Sequence, residues 1–141
     1  MPLVEVQRFA RADLRANPDA LFVFGDNLVG RGFGGQAREA RGEPNAVGIV
    51  TKRWPSMGAL GFLCDDDLES VHLLWREAFG RINSHLLAGG VVVWPADGVG
   101  TGRAELATRA PELWRELNLF VAGMRATAQA AVDIKGAKKP A

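Results

Sequence analysis

A glycine-rich segment near the N-terminus carries the residues of this chain best suited to ligand chemistry. An apolar run over residues 21–24 predicts a buried strand that breaks at the first glycine, and polar Asp26 and Asn27 follow. Residues 35–41 then favour a helix. The segment therefore predicts a strand, a glycine loop and a helix N-terminus, an arrangement that binds phosphates through backbone N–H groups. The candidate ligand-binding residues of this first loop are Gly25, Gly30, Gly32, Gly34, Gly35 and Gln36.

A second loop of the same kind lies downstream. Residues 91–94 form a continuous apolar run, as expected of a strand covered on both faces. Ligands of open α/β sheets bind in the crevice beyond the carboxyl ends of the strands, so the two loops are expected to form two walls of one crevice. The second wall comprises Asp97, Gly98, Val99, Gly100, Thr101, Gly102 and Arg103.

Three polar residues at strand ends, Asp26, Asn27 and Lys52, have two interpretations each. Thr51 and Lys52 follow the apolar run 46–50, where Lys52 is placed to meet a phosphate, although an exposed basic residue needs no such reason. The Asp26 carboxylate and the Asn27 amide could accept from an exocyclic amine or a ribose hydroxyl. They could equally form an Asx-turn that only shapes the loop.

Composition and charge narrow the class of protein. The chain has 141 residues and a net charge of +1, so no global field attracts nucleic acid or an anionic membrane. The single Cys64 excludes an internal disulfide and a multi-cysteine metal site, and neither a metal nor a cofactor is expected. We expect a cytoplasmic protein without a membrane span, with one domain over residues 1–131 and a basic, flexible tail over 132–141.

Alternating apolar runs and amphipathic stretches predict an α/β fold, a three-layer α/β/α sandwich with a mostly parallel central sheet. Strands are expected at 3–9, 21–24, 46–50 and 91–94. Helices are expected at 10–16, 35–41, 66–88 and 111–126, the third beginning with a capping box from Asp66 to Glu69. The acidic run that begins at Asp65 is interpreted as helix capping and not as a metal site. Residues 56–63 are a candidate lid over the crevice.

Three segments, 22–37, 45–52 and 95–102, resemble in order and spacing the macro-domain-like proteins common in bacteria and phages. The resemblance implies an α/β/α sandwich that binds ADP-ribose or its derivatives, with an ADP-ribosylated macromolecule as a possible partner. Gly32, Gly34, Gly35 and Gln36 match the family's first loop, and residues 98–103 match its second. If the chain is an ADP-ribosyl hydrolase, Asp26 is the first candidate to orient or deprotonate a water, with Asn27 fixing the ribose. Asp97 is the second candidate.

Two other functions stay open. The stretch from Pro95 to Leu106 is similar to a motif of lysine-decarboxylase-like nucleotide 5'-monophosphate phosphoribohydrolases, with Asp97 in place of a glycine and Glu105 one residue late. Release of the base from AMP would distinguish such an enzyme from an ADP-ribose binder. The third possibility is a non-catalytic module that senses a nucleotide or binds a partner.

Overall fold

Four parallel strands form the centre of the molecule. The structure, a computed structural model, describes residues 2–32, 34–55, 58–101 and 104–137. Its strands are β1 (Leu3–Val6), β2 (Leu21–Asn27), β3 (Ala46–Lys52) and β4 (Val92–Pro95), and they are ordered β1-β4-β2-β3 across the sheet. The helices are α1 (Arg11–Ala16), α2 (Ala37–Ala40), α3 (Leu68–Leu87), α4 (Leu106–Arg109) and α5 (Pro111–Ala137).

Helices cover both faces of this sheet, which confirms the predicted α/β fold and its three layers. Successive residues of a strand point to opposite faces. In β2, Phe22 and Phe24 pack with residues of α1 and α2, whereas Leu21 and Val23 pack with residues of α3, α4 and α5. Burial on both faces is why β2 reads as a continuous apolar run. In the described part of the chain, no helix is both long and apolar enough to cross a membrane.

The connections open a crevice between two adjacent strands. After β2 the chain enters α2 on one face of the sheet, and after β4 it enters α4 and α5 on the other face. The loops that leave β2 and β4 therefore diverge at the carboxyl edge. This divergence is the topological switch point at which open α/β sheets bind ligands.

Several predicted boundaries were wrong. Strand β2 continues through Gly25 to Asn27, and β3 continues to Lys52, because the two strands pair with each other beyond their apolar runs, with a register shift between Asp26 and Asn27. Strand β1 ends at Val6, three residues early. Helix α2 spans four residues instead of 35–41. Helix α5 continues to Ala137, so residues 132–137, expected in the tail, are helical.

The acidic run before α3 does cap helices, though not by the predicted pair. Residues Asp65–Asp67 form a 3-10 turn, and α3 begins only at Leu68. The Asp67 carboxylate accepts from the backbone N–H of Cys64 at 2.9 Å. Asp65 accepts from the N–H of Glu112 at 3.0 Å, at the start of α5. The predicted lid contains a 3-10 turn at Ala59–Gly61, and its residues 56–57 lie outside the described residues.

Candidate functional site

A cavity of about 400 Å³ lies at the carboxyl edge of the sheet, between the loops that follow β2 and β4. It brings together most of the residues predicted from the sequence. Gly30 does not line it, and Gly102 and Arg103 lie outside the described residues. The predicted residues that line it are Gly25, Asp26, Asn27, Gly32, Gly34, Gly35, Gln36, Thr51, Lys52, Asp97, Gly98, Val99, Gly100 and Thr101.

The first wall presents a run of backbone N–H groups. Gly35 has a φ of +57° and Gln36 a φ of −74°, and such a change of sign between neighbours turns successive N–H groups toward one point. Within the described residues, no acceptor lies on the N–H of Gly34, Gly35, Gln36 or Ala37. Ala37 is buried, and a buried N–H group without a partner is costly. The N–H groups of this segment are therefore not used by the described part of the chain.

The loop after β4 also has neighbouring residues with φ of opposite sign. Gly98 and Gly100 have φ values of +80° and +79°, and Val99 between them has a negative φ. The N–H groups of Val99, Gly100 and Thr101 likewise have no acceptor in the described part of the chain. The Thr101 hydroxyl donates to the carbonyl oxygen of Asp97 at 3.0 Å and so closes the turn. Two loops with such N–H groups therefore line one cavity.

The side chain of Asp26 is held by its surroundings. Its Oδ1 accepts from Arg41 Nη2 at 2.7 Å and from the backbone N–H of Asn27 at 2.8 Å. Its Oδ2 lies against Gly48 of β3, where an added Cβ would approach it to 2.6 Å. The carboxylate thus braces the end of β2 as well as lining the cavity. Asp97, by contrast, is exposed at the opposite wall.

Asn27 shapes the loop that follows β2. Its Nδ2 donates to the carbonyl oxygen of Arg31 at 2.7 Å, and its Oδ1 accepts from the N–H of Val29 at 3.1 Å. These bonds are those of the Asx-turn alternative. They occupy the amide that was predicted to fix a ribose.

Two further predicted residues use their side chains internally. The Gln36 amide exchanges two hydrogen bonds with the backbone of Phe9, at 2.7 and 3.2 Å. The Thr51 hydroxyl donates to the carbonyl oxygen of Asp26 at 3.4 Å. Both residues therefore face the cavity with their side chains already engaged in positioning neighbouring segments.

Lys52 brings a buried positive charge to the cavity wall. Only 8% of the residue is exposed, and its ammonium lies 4.6 Å from the centroid of the Phe62 ring. The guanidinium of Arg109 lies 3.6 Å from the same centroid. An aromatic face partly compensates the desolvation of a cation. Lys52 therefore places a largely buried amine in the cavity wall.

Helix α2, which follows the first loop, is too short to add much positive potential at the cavity. A single turn such as α2 has little macrodipole, so it would add little to the attraction of an anion by the loop amides. Among the described residues, no group of three or more His, Cys, Asp and Glu could hold a metal ion.

Two residues that matter to the site were missed from the sequence. Arg41, the residue after α2, lines the cavity and holds Asp26. Gly48 leaves the space that the Asp26 side chain fills. A glycine inside a strand marks the close approach of another group, so Gly48 could have been suspected. Nothing in the local pattern distinguishes Arg41 from neighbouring arginines.

The fold and the cavity define a three-layer α/β protein with a cavity between two loops at the switch point of its parallel sheet. Residues 4–119 match the model of a family of unknown function, DUF7831, and the chain belongs to this family. The match spans nearly all of the sheet and both loops of the cavity. No curated protein and no solved structure matches the chain.

Proposed function

We propose that the protein binds ADP-ribose, or a related nucleotide that carries a diphosphate, in the cavity between the two loops. The supporting observation is the pair of N–H runs, Gly34 to Ala37 and Val99 to Thr101, that line one cavity without acceptors in the described chain. Hydrogen bonds from N–H groups to a charged oxygen are stronger than those between neutral groups. Two facing runs suit two linked phosphates better than one.

The size and charge of the cavity support the same class of ligand. Its volume of about 400 Å³ is at the lower end of the range for small-molecule sites, and exceeds what an isolated phosphate needs. Lys52 adds a fixed positive charge at the wall. The choice of ADP-ribose among diphosphate nucleotides rests on the resemblance of both loops to macro-domain-like proteins.

Binding without turnover is the function that the side chains favour. Asp26 and Asn27, the first catalytic candidates, are engaged in the structure of the β2 end. Asp97 is the remaining candidate for positioning a water. The phosphoribohydrolase alternative gains no support, because Glu105 does not line the cavity and its carboxylate pairs with Arg109 at 3.2 Å.

Titration calorimetry with ADP-ribose, NAD, AMP and ATP tests the proposal. We expect ADP-ribose to bind and AMP, which has a single phosphate, to bind more weakly. Because most donors are amides, the affinity should depend less on salt than binding by a lysine patch would. Absence of binding by all four ligands would refute the proposal, and release of adenine from AMP would favour the phosphoribohydrolase instead.

A further inference from the structure

The cavity places a carboxylate beside a site built for anions. Asp26 lines the same cavity as the N–H groups of the first loop. A carboxylate near a bound phosphate repels it, and the repulsion is strong where water is partly excluded. The Asp26 side chain is only 17% exposed. An anion site at this position therefore needs something that cancels the charge of Asp26.

Arg41 has the geometry to cancel it. Its Nη2 donates to Asp26 Oδ1 at 2.7 Å, and its own side chain is 16% exposed. The Nε of the same guanidinium donates to the carbonyl oxygen of Gly32 at 2.8 Å, and Nη2 also lies 3.3 Å from the carbonyl oxygen of Arg31. The guanidinium of Arg41 therefore makes its hydrogen bonds to other groups of the protein. Arg41 is thus poorly placed to be a ligand-binding cation.

The same contacts orient a loop amide. No cis peptide bond occurs in the described residues, and in a trans peptide the N–H points away from the preceding carbonyl. Because the Arg31 carbonyl points at Arg41, the N–H of Gly32 points away from it. That N–H has no acceptor within the described part of the chain, and Gly32 lines the cavity.

We infer that Arg41 is a positioning residue for anion binding, an inference that rests on the proposed function. Its main effect is to neutralise Asp26, so that a phosphate can bind next to a carboxylate, and its contacts with the carbonyl groups of the first loop make a smaller contribution. The ion pair acts as one neutral unit. Removing only its positive half should harm binding more than removing both halves.

Three variants separate charge neutralisation from a purely structural role. Arg41→Gln should weaken ADP-ribose binding by about tenfold or more at low salt, because Asp26 then faces the ligand unpaired. Adding Asp26→Asn to Arg41→Gln should restore most of the affinity. Arg38→Gln is the matched control, since Arg38 lies in α2 three residues before Arg41, is exposed and does not line the cavity. It should change the affinity by less than about twofold.

Salt and a conservative variant provide further readouts. The loss in Arg41→Gln should shrink as salt rises, because screening weakens repulsion and leaves a structural defect unchanged. If Arg41→Gln does not fold in thermal unfolding, Arg41→Lys carries the test. The lysine keeps the positive charge but lacks the branched guanidinium that contacts Asp26 and a carbonyl oxygen together. Its affinity for ADP-ribose should fall by less than about threefold.

The outcomes distinguish this inference from the proposed function. If the wild type binds neither ADP-ribose nor inorganic diphosphate, both fall. If the wild type binds and Arg41→Gln binds equally well, the inference alone is wrong. It is also wrong if Asp26→Asn fails to restore the affinity of Arg41→Gln, or if Arg41→Lys loses as much as tenfold.

Discussion

Replacing Gly35 by alanine tests whether the first loop binds its ligand through backbone geometry. Gly35 has a φ of +57°, and a Cβ added to it would meet no atom of the described residues within 4 Å. The substitution therefore introduces no collision. Its effect comes from the left-handed backbone alone, which costs an alanine about 1–2 kcal/mol.

Gly42 provides a matched control. It has a φ of +89°, and its added Cβ would likewise meet nothing within 4 Å, but it does not line the cavity. Gly35→Ala and Gly42→Ala should therefore each lower the free energy of unfolding by up to about 1–2 kcal/mol, and by less where the loop relaxes to a negative φ. For a chain of this length, the loss corresponds to a fall in Tm of roughly 3 °C per kcal/mol.

Binding should separate the two variants. An alanine at position 35 favours a negative φ, which would turn the N–H groups of Gln36 and Ala37 away from their common focus. Loss of one hydrogen bond to a charged oxygen costs about 1.5–3 kcal/mol, or roughly 10- to 100-fold in affinity. Gly35→Ala should therefore lose at least tenfold in ADP-ribose affinity, whereas Gly42→Ala should bind like the wild type.

The assay is calorimetric titration with ADP-ribose beside thermal unfolding of both variants. Equal destabilisation with equal affinity would mean that the first loop does not hold the ligand. Loss of affinity in both variants would mean that binding reports general stability and not the loop. Either result would refute the assignment of this wall.

Three other substitutions test the scaffold around the site. Gly48→Ala should lower ADP-ribose affinity, because the added Cβ would come within 2.6 Å of Asp26 Oδ2 and displace that carboxylate; unchanged affinity would show that its position is unimportant. Asn45→Ala should reduce the free energy of unfolding by about 2–3 kcal/mol in denaturant titrations, since Asn45 Nδ2 is within 3.0 Å of three carbonyl oxygens; a loss below 1 kcal/mol would contradict this role. The Arg11 guanidinium, and more weakly Arg15, hold the pKa of Glu43 below its usual 4.5. The stability that these contacts contribute is therefore present above pH 4.5 and is lost as the pH falls further. Glu43→Gln should make Tm less dependent on pH in the acid range, and an unchanged dependence would refute the assignment.

The fold was predictable because burial leaves a strong local signal. Strand β2 is apolar at every position from Leu21 to Phe24, since helices cover both of its faces. The strand ends were less visible. Gly25 breaks the apolar run, yet its pairing with Ile49 of β3 keeps it in the sheet, because tertiary pairing overrides local propensity.

The end of α5 shows a different limit. Its predicted end near residue 126 followed the apolar face, whose last buried residues are Met124 and Ala128. The helix continues to Ala137 because residues beyond that face, such as Gln129 and Lys135, are good helix formers. Hydrophobic periodicity reports where a helix is buried, and backbone propensity carries it further.

The loops of the candidate site were visible in the sequence because glycine marks backbone conformation directly. The contacts that shape them were not. Arg41 reaches Asp26 across 15 positions of the chain, and Gln36 reaches Phe9 across 27. Spacing in the sequence does not show which distant polar side chains will form a hydrogen bond, because the folded sheet and not the local segment brings them together.

The polar side chains at this cavity mostly bind the protein's own backbone. Asn27, Gln36, Arg41 and Thr51 all do so, and each contact fixes a segment whose N–H groups or strand end line the cavity. Amides so fixed need no rearrangement when an anion arrives, which preserves binding energy that a mobile loop would lose. If the proposed function holds, this use of the side chains accounts for anion binding by a chain with a net charge of only +1. Its proposed donors are mainly peptide groups, and the ion pair between Asp26 and Arg41 cancels a carboxylate instead of adding a cation.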